Sequence, residues 1–147
     1  MKISTRARYA LSSMVAIARL SKNASPVSLN HVAATTHLPK RYLEHLMRDL
    51  KKASLLHAVS GRAGGYFLTR SPEKIKIGQI IQAAIGRINI VDCVREPEKC
   101  IKSDVCECRL IYMLINHRVT QVLNEFSLAD LEDKKLHKRV ELELNAF

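Results

Sequence analysis

Residues 28–70 read SLNHVAATTHLPKRYLEHLMRDLKKASLLHAVSGRAGGYFLTR, and this stretch decides the fold. Ser28 has the side chain of an N-cap and opens a short helix built on Leu29, Val32 and Ala33. His37 and Leu38 make a turn. Pro39 suits the first position of the next helix, where its missing N–H costs nothing. That helix sets Leu43, Leu46, Met47 and Leu50 on one face and Arg41, His45, Arg48 and Lys52 on the other. A short helix, a tight turn and a second helix with a basic outer face is the outline of a helix-turn-helix, although any antiparallel helix pair shares it. The following residues sharpen it. Residues 55–60 and 66–70 read as strands around Gly61-Arg62-Ala63-Gly64-Gly65, a tip that permits positive φ and a tight reversal. A helix-turn-helix followed by a hairpin is a winged helix, and Arg62 at its tip is free to reach a groove or a phosphate. A phosphate-cradling loop would need a helix after the glycines and a Lys-Ser/Thr pair; both are missing, so a nucleotide site is set aside.

Upstream, Ile3, Ala7, Ala10, Leu11, Met14 and Ala18 recur at steps of three and four, one face of a first helix, with Arg6, Ser12, Ser13 and Arg19 off that face. Residues 1–43 lack any acid and carry Lys2, Arg6, Arg8 and Arg19, which resembles a transit peptide. Ser12 and Ser13 interrupt the apolar core that a signal peptide needs, and the segment reads as a helix of the mature protein. Asn23-Ala24-Ser25-Pro26 breaks it. Downstream, Pro72 ends the hairpin. Ile77, Ile80, Ile81, Ala84 and Ile85 give another short helix, closed by Gly86. Residues 110–126 are apolar at ten of seventeen positions, a stripe too wide for one face of a small domain, which predicts packing on the domain and on a second subunit. Ser127 and Asp130 have capping-box spacing, and residues 132–143 read as a solvated helix or frayed tail.

Charge divides the chain. Of the +10 net charge of these 147 residues, all sits in residues 1–70, where 12 Lys/Arg face only Glu44 and Asp49. Residues 71–147 hold 12 basic and 12 acidic side chains. A basic half joined to a balanced half predicts a polyanion-binding module attached to something with another task. No apolar run approaches the ~20 residues that span a bilayer, so no membrane partner is expected. The six histidines lack metalloprotease spacing and no nucleophile has a base near it, so no enzyme is expected.

All four cysteines, Cys93, Cys100, Cys106 and Cys108, fall within 16 residues. Two disulfides would not staple the fold, and a DNA-binding module belongs in a reducing compartment. Structural cysteines need not cluster. Structural zinc sites show C-x2–4-C knuckles, which this chain lacks, while long loop spacing with thiolate ligands suits an iron–sulfur cluster. Spacing alone leaves cluster and zinc equally open.

Four stretches together carry a resemblance: residues 1–11 (MKISTRARYAL), Tyr42-Leu43-Glu44-His45-Leu46 with Leu50-Lys51-Lys52-Ala53, residues 61–68 (GRAGGYFL) and Pro72-Glu73-Lys74-Ile75. Over about residues 1–131 the chain resembles the Rrf family of winged-helix transcription regulators. The resemblance implies a mainly α fold with a small β-hairpin wing and a long C-terminal dimerisation helix. It implies a cytoplasmic bacterial homodimer on a near-palindromic double-stranded operator, with Arg8, Tyr9, Arg41, Tyr42, Glu44, Arg48 and Arg62 at the DNA. It also implies that Cys93, Cys100 and Cys106 are cluster ligands, which favours a [2Fe-2S] or [4Fe-4S] cluster over zinc. The chain departs from the family pattern at four places. Ser60 stands where a wing arginine is usual, and Ile85-Gly86 stands for Glu-Gly. Tyr112 replaces a tryptophan, and Arg109 stands where some members ligate with histidine. No Asp, Glu or His precedes His31, so a partner's first helix offers no usual fourth ligand. Cys108 is the expected replacement, with Glu107 second.

The expected organisation is a DNA-binding unit over residues 1–86, a cluster-binding loop over 87–108, a dimerisation helix over 109–131 and a charged tail over 132–147. The expected function is a transcription regulator, repressor or activator, whose operator affinity follows redox, iron or nitric-oxide status through the cluster. Zinc or thiol sensing on the same scaffold, or control of a clusterless regulator by a partner protein, are the alternatives.

Overall fold

The computed structural model describes residues 3–21 and 25–146. Met1 and Lys2 of the quoted N-terminal stretch, and Asn23 and Ala24 of the expected helix break, lie outside them. The first helix, α1 (Thr5–Leu20), is capped by Ser4, whose hydroxyl accepts from Ala7 N at 3.2 Å. It buries Ala7, Ala10, Ser13, Met14, Ala16, Ile17 and Ala18. The buried face is therefore rotated from the expected one. Ile3 precedes the helix and is exposed, whereas Ser13 is buried because its hydroxyl donates back to Tyr9 O at 2.8 Å and needs no water.

Helix α2 (Leu29–Thr36) starts on Ser28, whose hydroxyl accepts from His31 N, and ends at His37 in the left-handed region (φ 55). Helix α3 (Lys40–Lys52) begins one residue later than expected. Pro39 is its N-cap with ψ 134, and its carbonyl accepts from Tyr42 N and Leu43 N. Leu43, Leu46, Met47 and Leu50 of α3 are fully buried against Met14, Ile17, Val32 and Ile80 in the main core. Strands β1 (Leu56–Val59) and β2 (Gly65–Leu68) pair antiparallel with Leu56 opposite Leu68 and Val59 opposite Gly65. The strands are shorter than expected, and a third segment joins them. Val27 and Tyr66 exchange both backbone hydrogen bonds, at 3.0 and 2.9 Å. Gly65 is required there, since a Cβ would lie 2.5 Å from Val27 O.

Helix α4 (Ile77–Ile85) buries Ile77, Gly78, Ile80, Ile81 and Ala84 and stops at Gly86 with φ 79. Ile85, expected among its apolar residues, is exposed. Three single turns of 3-10 helix follow, Asp92–Val94, Pro97–Lys99 and Ser103–Val105. Helix α5 (Glu107–Glu125) then runs for 19 residues with no buried side chain. Its end returns to the body. Leu123 and Phe126 pack on Ala7, Ile77 and Ile81, Phe126 O accepts from Ile77 N, and Leu128 N donates to Ile75 O at 2.7 Å. The Ser127–Asp130 box forms as expected, with Asp130 Oδ2 accepting from the Ser127 N–H and hydroxyl, both at 2.6 Å. Helix α6 (Leu136–Leu144) buries nothing; Arg139 lies over the Phe126 ring, 4.6 Å from its centroid.

One half-buried polar group ties three helices together. The Arg6 guanidinium of α1 donates from Nε to Ala84 O at 2.7 Å and pairs through Nη2 with Asp49 of α3. Ala84 lies in the last turn of α4, where carbonyls lack helical partners, so a cation there also meets the negative end of the helix dipole. Arg6→Ala removes both contacts and is expected to cost about 1–3 kcal/mol. Asp49→Ala, which leaves the α4 contact, should cost less. Urea unfolding checks this, and equal midpoints for Arg6→Ala and wild type would rule it out.

A second expectation concerns acid. Hydrogen bonds from Ser127 hold the Asp130 carboxyl below the usual carboxylate range, against the upward effect of burial, with Arg139 and Lys76 adding to the lowering. A carboxyl held low when folded contributes its stabilisation above the unfolded-chain value near ~4 and loses it as pH falls through the native value. The gap in urea midpoint between wild type and Asp130→Asn should be open at neutral pH and close below about pH 4. A gap of constant size down to acid pH would exclude charge as its source.

Candidate nucleic-acid interface and cysteine segment

The buried stripe of α3 leaves its other side to solvent, where Lys40, Arg41, Glu44, His45, Arg48, Lys51 and Lys52 are exposed. Arg48 Nη2 donates to His45 Nδ1 at 2.8 Å across one turn. Arg62 is exposed on the hairpin tip, and Gly61 beside it takes φ 112. Arg8 is exposed on α1 and donates to Thr5 Oγ1 at 3.2 Å. The tyrosines differ from these. Tyr9 and Tyr42 are half-buried and meet edge to face, 5.6 Å between centroids at 86°. They form a joint between α1 and the first turn of α3. Glu44 stands near Tyr66 of β2: burial pushes the Tyr66 phenol up, and the Glu44 charge adds to it. The phenol thus stays a donor at neutral pH. Helix α3 and the wing share one frame: Leu55 N donates to Leu50 O at 3.0 Å, Leu56 is buried in the core with Leu43, Leu46 and Met47, and Val27 pins β2 at Tyr66.

Arg6, Tyr66 and the His45–Arg48 contact are the features that residue patterns did not single out as functional. His45 had a visible signal, since it lies four residues from Arg41 and three from Arg48 on the basic face. Arg6 had none, because its partners are 43 and 78 residues away.

The four cysteines are free thiols. Cys93 sits in the turn Asp92–Val94, and Cys100 closes the turn Pro97–Lys99. Cys106 is the N-cap of α5, and Cys108 lies in its first turn. Cys93, Cys100 and Cys106 are half-buried and Cys108 is exposed. The helix begins at Glu107, two residues before its expected start at Arg109. Cys106 is thus an extended, half-buried cap (φ −90, ψ 103), while Cys108 is the second residue of the helix and open to solvent. Among the described residues no three His, Cys, Asp or Glu side chains are gathered as metal ligands. The segment is tied to α5 at two points. Arg109 Nε donates to Cys93 O at 2.8 Å, and Ile90 N donates to Asn116 Oδ1 at 3.2 Å. Beyond it, Leu110, Ile111, Tyr112, Met113, Leu114, Ile115 and Val122 of α5 are exposed, Leu110 at 67%. Among the described residues no helix is long and apolar enough to cross a membrane.

Residues 3–134 match the Rrf2 family, described as iron-dependent transcriptional regulators. A putative HTH-type transcriptional regulator of Haemophilus influenzae is 34% identical over 139 residues, 95% of this chain and 91% of that protein. Among solved structures, CymR of B. subtilis, described as its global cysteine regulator, superposes with a TM-score of 0.71 at 34% identity, covering 89% of this chain and 95% of that one. IscR of T. potens superposes with a TM-score of 0.70 at 30% identity, covering 89% and 85%. The architecture is accordingly a winged helix-turn-helix.

Arg62 is exposed at the tip of the hairpin. Arg62→Ala is expected to leave the melting temperature within about a degree and to weaken duplex binding, most on a narrow A·T-rich minor groove. Early melting with normal affinity in the folded protein would make this arginine structural.

Proposed function

This chain belongs to the Rrf2 family of DNA-binding transcriptional regulators, and from that premise we propose a bacterial cytoplasmic homodimer whose operator affinity is set at residues 93–108 by an iron–sulfur cluster. The reading divides the chain into a DNA-binding unit over 1–86, a sensing segment over 87–108, a pairing helix over 109–131 and a tail. It assigns no catalysis. The observation that carries it is the clustering of four free thiols in the turns before, and the first turn of, a helix whose apolar face is bare. In this reading α3 enters the major groove of a near-palindromic operator with Arg41 and Glu44 at base edges. Arg62 enters a minor groove and Arg8 meets phosphate. Tyr9 and Tyr42 hold α1 against α3 rather than reading bases.

Cys93, Cys100 and Cys106 would hold the cluster, with Cys108 as fourth ligand once the first turn of α5 opens. The donor chemistry fits thiolate-bound iron. When bound, such a cluster supplies an iron centre that reacts with oxidants and nitric oxide. The chain's own part is mechanical. Arg109 links the Cys93 turn to the start of α5, α5 packs on α4 through Leu123 and Phe126, and α4 is joined to α3 through Arg6. A change at the thiols thereby has a physical route to the DNA face.

A second reading draws on the helical first turn that already holds Cys108 and on the likeness to a cysteine regulator. It keeps the DNA-binding scaffold and replaces the cluster by zinc, by thiol chemistry or by a partner protein.

Protein purified without oxygen is expected to be brown, with visible absorption, iron and inorganic sulfide. Alanine at Cys93, Cys100 or Cys106 should abolish these, and Cys108→Ala should leave a labile cluster. A colourless protein with stoichiometric zinc, or with no metal, selects the second reading. A Cys108→Ala protein with unchanged spectrum and stability removes that thiol from the ligand set.

A further inference from the structure

The geometry of the contact between Arg48 and His45 assigns a tautomer to the ring. Arg48 Nη2 lies 2.8 Å from His45 Nδ1. A guanidinium has only donors and stays protonated, so Nδ1 is the acceptor. An imidazole that accepts at Nδ1 is neutral and carries its proton on Nε2. Both side chains are exposed on the basic side of α3. The ring therefore offers solvent a single N–H donor whose tautomer and direction are fixed by its neighbour.

The surrounding residues leave this donor prominent. Leu43, Leu46 and Met47 are buried, and Tyr42 is engaged edge to face with Tyr9. Glu44 has only acceptors and stands near Tyr66. Arg41, four residues before His45, is another exposed donor on the stripe, as is Lys40. A flexible arginine loses side-chain freedom when it docks, whereas a ring already held by Arg48 loses less.

We propose that His45 is a specificity-determining residue of the DNA face, its Nε2–H donating to an acceptor on a major-groove base edge, a purine N7, guanine O6 or thymine O4. Arg48 is then a positioning residue that fixes the ring, rather than a phosphate contact. The inference rests on the reading of α3 as the groove-entering helix.

The test uses a duplex selected by the wild-type protein from a randomised pool, and a scrambled duplex of equal length. His45→Ala is expected to lose about tenfold in affinity for the selected duplex and under twofold for the scrambled one. His45→Gln, which keeps a side-chain N–H donor, should recover part of the loss. Arg48→Ala should also lose affinity for the selected duplex, with an unchanged salt slope, and the double variant should be no worse than His45→Ala. Melting curves confirm that these surface variants fold. Loss of equal size on both duplexes in His45→Ala, or no loss, overturns the base contact. A fall of about one in the salt slope of Arg48→Ala, with full discrimination kept, overturns the positioning role. A wild type that selects no sequence overturns the groove reading itself and the inference with it, a result seen before any variant is made.

Discussion

Three helices meet at one guanidinium. Arg6 reaches from α1 to the carboxylate of Asp49 on α3 and to the carbonyl of Ala84 on α4. Apolar packing brings these helices together, but it is non-directional and tolerates sliding. A fork of N–H donors does not, because its partners must lie in its plane and at hydrogen-bond distance. The outward angle of α3, and with it the display of Arg41, His45 and Arg48, follows from where Asp49 and Ala84 are held. The small side chains Ala7 and Ala10 let α1 lie close enough for the arginine to span both neighbours.

Helix α4 is the element shared by the two halves. Its C-terminal end meets Arg6, and its N-terminal end is bonded to Phe126 and packed on Leu123. Helix α5 otherwise projects with Leu110, Ile111, Leu114 and Ile115 in water. Each such side chain gains roughly 1.5–3 kcal/mol when fully buried, so the bare stripe is a strong drive toward a second apolar surface. The same helix carries Arg109, which grips the backbone of Cys93. Cys106, Cys108 and the bare apolar stripe therefore share one helix, to which the Cys93 turn is tied.

Local chemistry was legible in the residues, and distant chemistry was not. The caps at Ser28 and Gly86 and the stripe of Leu43, Leu46, Met47 and Leu50 follow from rules that span a few residues, and they form as read. The Val27–Tyr66 bridge links positions 39 apart, and nothing in Pro26-Val27 marks a strand. Arg6 lay off the apparent face of its helix because its partners were unknown to a periodicity. Ser13 is buried by a bond to its own helix, which hydropathy scores as a polar interruption. For the site, the clustering of the cysteines and the basic side of α3 were plain in the sequence. The start of α5 was not, because Glu107 and Cys108 are as acceptable in a loop as in a first helical turn. Tyr9 and Tyr42 stand beside the basic residues in sequence, yet their rings face each other.

The hairpin has a consequence for how such a scaffold changes over generations. A Cβ at Gly64 would fall inside van der Waals contact with Val59 O, and one at Gly65 would strike Val27 O. Gly61 sits in open space but at a φ of 112 that L residues rarely adopt. Three fixed positions thus bracket two exposed ones, Arg62 and Ala63. Sequence drift is channelled onto these two residues. A lineage could retune what the tip touches by single substitutions while the loop that carries it keeps its shape, so new target preferences become accessible without passing through unstable intermediates.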